Sequence, residues 1–211
     1  MNRMIVLGAF VLMMATAMQA GHGQTTFTRV TDTSNPVVTD TPPPLYAGCS
    51  WIDFDNDGNL DLFINPSLLY RNIGNGNFAR VSTIIGVTQP LGGAIQGSGN
   101  SWADYDNDGR LDVFVASSKS FLYHNDGNGS FTKIVTGAIG DSSSNRGWTC
   151  AWGDYDQDGY VDLVIVHPAG FVPSTPIPNI MFHNDGPPNY TFTRIDTGAI
   201  VTGLAPYTVG T

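Results

Sequence analysis

Twelve of the chain's 18 aspartates are gathered into three nine-residue windows of one pattern. The windows are Asp53-Phe-Asp-Asn-Asp-Gly-Asn-Leu-Asp61, Asp104-Tyr-Asp-Asn-Asp-Gly-Arg-Leu-Asp112 and Asp154-Tyr-Asp-Gln-Asp-Gly-Tyr-Val-Asp162. Each carries Asp at positions 1, 3, 5 and 9 and Gly at position 6. As such a loop coils, the side chains at 1, 3 and 5 converge on one point, the carbonyl at 7 joins them, and the carboxylate at 9 completes an oxygen cage of the kind Ca²⁺ takes. Mg²⁺ suits it less, since that ion keeps its waters and demands strict octahedral geometry. Gly58, Gly109 and Gly159 take the tight turn that a Cβ would obstruct. The alternative is a solvated polar hairpin turn. Carboxylates crowded this closely repel one another unless a cation neutralises them, and three such loops in register leave that repulsion unrelieved three times. Calcium, at three sites, is the expected cofactor.

The elements that must position these loops repeat with them. The windows start 51 and 50 residues apart, and a Trp stands two residues before each: Trp51, Trp102 and Trp152. An apolar, β-rich run follows each one, Leu62-Phe-Ile64, Val113-Phe-Val115 and Leu163-Val-Ile-Val166. A second module keeps step: Leu69-Tyr-Arg-Asn-Ile-Gly-Asn-Gly-Asn-Phe78, Leu122-Tyr-His-Asn-Asp-Gly-Asn-Gly-Ser-Phe131, and a looser copy from Met181 to Phe192. Asn-Gly and Asp-Gly clusters between apolar runs are hairpin signals, because both residue types tolerate positive φ. Each period therefore reads as four strands: one bearing the Trp, the apolar run after the Asp loop, the Leu-Tyr segment, and a last strand starting at Phe78, Phe131 or Phe192. Four strands in about fifty residues is the unit of a β-propeller blade. The predicted class is all-β, with about three complete propeller-type blades. A further copy of the last strand, Phe27-Thr-Arg-Val30, reads as an orphan strand at the N-terminus, extending from Thr25 to Val30.

Other aspartate loops fit less well. An EF-hand needs a bidentate Glu at position 12 and a following helix, whereas position 12 here is Ile64, Val115 or Ile165, inside a predicted strand. The Trp-x-Asp-[Phe/Tyr]-Asp-x-Asp-Gly-x-[Leu/Val]-Asp cores, with their Tyr/Phe-x-Asn-x-Gly hairpins, resemble the FG-GAP/VCBS repeat family, related to the N-terminal propeller of integrin α subunits. The resemblance covers about residues 25 to 200. It implies as metal ligands Asp53, Asp55, Asp57 and Asp61; Asp104, Asp106, Asp108 and Asp112; and Asp154, Asp156, Asp158 and Asp162. Asn59, Arg110 and Tyr160 would lend backbone carbonyls, a role that asks for no particular side chain.

The remaining residues read mainly as structure. The three repeated Trp fit blade core better than a sugar-stacking platform; Trp148, without a repeat partner, is the better candidate for an exposed ligand contact, although it too reads first as structure. His124 and His183 occupy the place where the first repeat has Arg71 and read as a structural surface position. Asp126 and Asp185 read as turn formers. Cys49 and Cys150 fall at equivalent places in non-adjacent repeats, beyond the ~7 Å Cα limit for a disulfide, so two buried thiols are expected. There is no G-x-S-x-G, no H-E-x-x-H and no Gly-rich phosphate loop.

All 18 acidic residues are Asp, and 25 Gly and 13 Pro accompany them, a composition poor in helix formers. The net charge of −9 argues against nucleic acid, whose affinity rests on neutralising phosphates. Met1-Asn2-Arg3, the apolar run Met4–Met14 and Ala15-Thr16-Ala17 form a secretory signal pattern over residues 1–20, with cleavage expected after Ala17 or Ala20. Residues 25–211 hold the repeats, at about 25–81, 82–134 and 135–195, with the start of another from 196. Successive Phe-to-Trp intervals of 24, 24 and 21 residues set the next Trp at 213–216, so the sequence reads as stopping just before a fourth loop. The functional expectation is a secreted, non-enzymatic module binding an extracellular protein or glycan, with no membrane span after signal cleavage. A scaffold within a larger secreted carbohydrate-active or hydrolytic enzyme and a lectin-like sugar binder are the alternatives. Open blade edges invite self-association.

Overall fold

The structure is a computed structural model and describes residues 28–40, 48–65, 68–81, 99–117, 119–141, 144–145, 147–167 and 178–202. The chain divides into Met1–Asp32 and Thr33–Thr211. Of the first unit only Thr28–Asp32 are described. The expected signal segment lies outside the described residues, as does Thr25–Phe27 of the orphan strand. Thr28–Val30 form no strand, and that part of the expectation is corrected.

The second unit consists of three four-stranded antiparallel sheets, each built from one sequence repeat. The first runs β1 (Cys49–Ile52), β2 (Asp61–Ile64), β3 (Leu68–Gly74) and β4 (Asn77–Val81), in spatial order 1-2-3-4. The second runs β5 (Gly99–Ala103), β6 (Asp112–Ala116), β7 (Phe121–Gly127) and β8 (Ser130–Lys133). The third runs β9 (Thr149–Gly153), β10 (Asp162–Val166), β11 (Ile180–Asn184) and β12 (Phe192–Ile195). These are propeller-like blades, strand for strand as the repeat predicts. Described helices are single turns of four residues. No helix among the described residues is long and apolar enough to cross a membrane.

Register follows the repeat as well. Trp51 pairs with Leu62, Trp102 with Val113 and Trp152 with Leu163 across the first hairpin of each sheet. The second strands are buried on both faces, because alternate side chains meet different neighbours. Val113 and Val115 pack with Phe54, Phe63 and Leu69 of the first repeat, while Phe114 and Ala116 pack with Leu163, Ile165 and Phe182 of the third. Two of the cores therefore lie between sheets, with neighbouring blades packed face to face, and a smaller one around Leu62, Leu68 and Tyr70 belongs to the first sheet alone. The Trp residues serve these junctions: Trp102 meets Phe63 edge-on at 5.4 Å, and Trp152 meets Phe114 at 6.5 Å. Trp51 departs from the expected core role. No sheet precedes it among the described residues, and it is 58% exposed against its own Phe78.

The blades approach most closely at their first strands. The Gly99 N–H donates to Trp148 O at 3.0 Å, and a Cβ on Gly99 would stand 2.5 Å from Thr149 Cα, so only glycine fits there. Trp148 is half-buried in this junction, a structural place rather than that of an exposed ligand contact. Cys150 is buried, its Sγ near Phe114 O, and burial pushes its thiol up to about 12. Cys49 is exposed, which corrects the expectation of two buried thiols; both cysteines are free.

Face-to-face packing predicts unequal costs for two aromatic truncations. Phe114→Ala empties a fully buried position between blades and should cost about 3–5 kcal/mol. Trp51→Ala, at a half-exposed position, should cost about 1 kcal/mol or less. Urea unfolding of the two variants makes the comparison, and equal losses would contradict the junction described.

Candidate metal centres

Each aspartate window folds into the same loop between the first and second strands of its sheet. Residues at position 4 adopt left-handed backbone, Asn56 at φ 58°, Asn107 at φ 56° and Gln157 at φ 64°, and the glycines at position 6 follow at φ 86°, 87° and 92°. The glycine turn is the one the sequence predicts. The turn at position 4 is additional, and Asn is among the few side chains that tolerate it.

Position 1 organises the coil. Asp53 accepts from the backbone N–H of Asp57 at 3.0 Å and of Gly58 at 2.9 Å; Asp104 and Asp154 repeat the pair with Asp108 and Gly109, and with Asp158 and Gly159. Asn59, Arg110 and Tyr160, expected to lend carbonyls, donate their backbone N–H to the position-5 carboxylate, each at 2.9 Å. The Asn59 backbone N–H, helped by its side-chain amide and by Arg71, holds the Asp57 carboxyl below the usual carboxylate range against some desolvation.

Position 9 is different. Asp61 and Asp112 are wholly buried and Asp162 nearly so. One oxygen of each accepts the N–H of the position-2 residue (Phe54, Tyr105 and Tyr155, at 3.1–3.2 Å), and the other accepts the N–H of an asparagine on the third strand (Asn72, Asn125 and Asn184, at 2.7–2.9 Å). Burial pushes the Asp61 and Asp112 carboxyls up, Asp112 to about 7, although these N–H donors pull the other way; nearby Asp55 and Asp57, or Asp106, add to the rise. Asp106 is raised by burial and by the charges of Asp108 and Asp104.

The third-strand asparagines are functional residues that the sequence reading passed over as part of a hairpin motif. Their signal was a fixed place, two residues after Tyr70, Tyr123 and Phe182. Asn125 Nδ2 donates to Phe54 O of the preceding blade at 2.9 Å and to Leu111 O of its own at 3.0 Å. Asn184 Nδ2 donates to Tyr105 O of the preceding blade at 2.8 Å. Asn72 Nδ2 reaches Leu60 O in its own loop.

The structure gathers the expected ligands as sets whose ligand atoms lie within 4.8 Å of one another: Asp53, Asp55 and Asp57 in loop one, Asp104, Asp106 and Asp108 in loop two, and Asp154, Asp156 and Asp162 in loop three. The oxygens Asp55 Oδ1 and Asp106 Oδ1 are buried without a hydrogen-bond partner. Converging carboxylates, two of them with orphaned buried oxygens, fit a hard divalent cation. Such an ion would draw on these sets; the chain's own contribution is the N–H scaffold that holds the oxygens together before it binds. His124 and His183, read from the sequence as structural surface positions, stand against loops two and three within further sets, with Asp106 and Asp112, and with Asp156 and Asp158.

Raised carboxyl values give the metal-free protein a direction with pH. A group whose folded value lies above its unfolded value favours the fold while protonated and loses that contribution as pH rises through the folded value. Asp61, Asp106 and Asp112 all act this way, from the ordinary carboxylate range up to about 7 for Asp112. The Tm of dialysed, metal-free protein should therefore fall between about pH 5 and about pH 7.5. Calorimetry at the two pH values checks it, and a rise in Tm would contradict the burial of these carboxyls.

Residues 53–115 and 104–165 each match the FG-GAP-like repeat family, and the two matches together span the aspartate loops and the first two blade junctions. No curated protein matches the chain. The chain belongs to the FG-GAP-like repeat family.

Proposed function

We propose, proceeding from membership of the FG-GAP-like repeat family, that this chain is a secreted calcium-binding module of propeller repeats acting in extracellular binding or adhesion. The observation that carries the calcium reading is the set of converging carboxylates with orphaned buried oxygens at Asp55 and Asp106. Without a cation those charges repel at short range in a partly desolvated site. With one, each loop becomes a rigid corner from which the blade's surface loops are presented. The net charge of −9 supports a protein or glycan ligand over a nucleic acid. The signal pattern at residues 1–20 supports export, into a compartment where free calcium is high enough for loops of modest affinity.

Extracellular calcium modules have Kd values of about 10⁻⁴–10⁻³ M. At about 1 mM free calcium, each site at the tighter end contributes about 1.4 kcal/mol, a sizeable fraction of ordinary domain stability. Thermal unfolding in calcium and in EGTA should differ by several degrees, and an unchanged Tm would end the calcium reading.

Single ligands should be separable. Asp108→Ala should remove or weaken one calcium site and leave the others titrating as before, because each loop supplies its own cage. Calorimetry that counts the same sites with the same affinities in this variant would show that Asp108 is no ligand.

A further inference from the structure

The three loops share their carboxylates but differ in what the third strand brings to them, at Arg71, His124 and His183. In loop one the guanidinium lies with Nε 2.6 Å from Asp55 Oδ2 and Nη2 3.1 Å from Asp57 Oδ2. A fixed positive charge thus sits on two of the three gathered carboxylates. Loops two and three hold an imidazole in that place. His124 Nδ1 is 3.3 Å from both Asp106 Oδ2 and Asp112 Oδ1. His183 Nδ1 is 3.3 Å from Asp156 Oδ2 and 3.2 Å from Asp162 Oδ1. Both nitrogens are buried, and neither makes a hydrogen bond.

The spacing separates two kinds of contact. A charge-assisted N–H···O bond closes to about 2.7–2.9 Å. Two ligand atoms on one ion, at bond lengths of about 2.0–2.2 Å, stand about 3.0–3.5 Å apart. The imidazole nitrogens keep the second spacing, to two carboxylates at once, in two separate blades. Arg110 does not fill the place in loop two: its guanidinium touches Asp108, leaving Asp106 and Asp112 to His124.

We propose that the third-strand residue selects the ion at each loop: His124 and His183 make loops two and three mixed nitrogen–oxygen sites that accept a zinc-class divalent ion as well as calcium, while Arg71 denies such an ion to loop one. The inference rests on the loops being metal sites. Oxygen-only cages suit calcium and magnesium, whereas an imidazole lone pair suits zinc and its neighbours, and carboxylates serve both. Arg71 has no lone pair to offer and brings a competing charge in its place.

Cobalt(II), a coloured stand-in for zinc, tests this on the full chain through its ligand-field absorption, with parallel calorimetric titrations of Zn²⁺ and Ca²⁺. Two equivalents of Co²⁺ are expected. His124→Ala and His183→Ala should each weaken one of them by more than about tenfold, the least that even an outer-shell loss costs, while calcium uptake persists. Arg71→His should add a third equivalent, a gain that a misfolded variant cannot mimic. Calcium uptake with no Co²⁺ or Zn²⁺ bound, or a Co²⁺ count unmoved by all three substitutions, overturns the role of the imidazoles and leaves the calcium reading intact. The expected Co²⁺ counts without calcium uptake would do the reverse.

Discussion

The buried aspartate at the end of each loop is the constraint on which the architecture turns. Asp61, Asp112 and Asp162 lie almost wholly out of solvent, where an ionised carboxylate is tolerated only if its oxygens are well supplied with donors. The donors are the N–H groups of the position-2 residue and of the third-strand asparagine. One carboxylate therefore fixes the loop's conformation and its distance from the third strand together. Hydrogen bonds to a charged group are worth about 1.5–3 kcal/mol each, so this is a strong local tie.

The tie does not end within the blade. Asn125 gives its backbone N–H to Asp112 and its side-chain amide to the carbonyl of Phe54, whose own N–H is held by Asp61. Asn184, Tyr105, Asp162 and Asp112 repeat the arrangement at the next junction. A relay of hydrogen bonds thus runs from loop to loop across both described interfaces, beside the aromatic contacts of Trp102 with Phe63 and Trp152 with Phe114. Anything that orders one loop bears on its neighbour through the side-chain amides of Asn125 and Asn184.

Much of this was legible in the sequence, and for a physical reason. A repeat states each blade several times, so the four-strand unit, the approximate strand positions and the glycine turns could be read from coincidences that one copy would not reveal. What escaped depended on contacts between segments distant in sequence, within a repeat or across two. Asn125 and Asn184 look like ordinary hairpin residues until the preceding blade is in place, and Asn72 until its own aspartate loop is. His124 and His183 look like surface positions because nothing in their spacing shows that the third strand passes over the loop. Trp51 shares its motif with Trp102 and Trp152 yet is exposed, since burial of that side chain requires a preceding sheet. Cys49 likewise shares a repeat position with Cys150 and differs in burial.

Asp61, Asp106 and Asp112 are carried in environments that disfavour their charge, while the fold's own hydrogen bonds require the position-9 carboxylates as acceptors. A cation would relieve that conflict, and the relay would give its effect a path between blades. Amide hydrogen exchange with and without calcium is the most direct test. Calcium should protect the amides of Phe54, Asn72, Tyr105, Asn125 and Asn184 together with those of the loops. Exchange that slows only within the aspartate loops, or nowhere, would contradict the claim that ion sites and blade junctions form one linked structure.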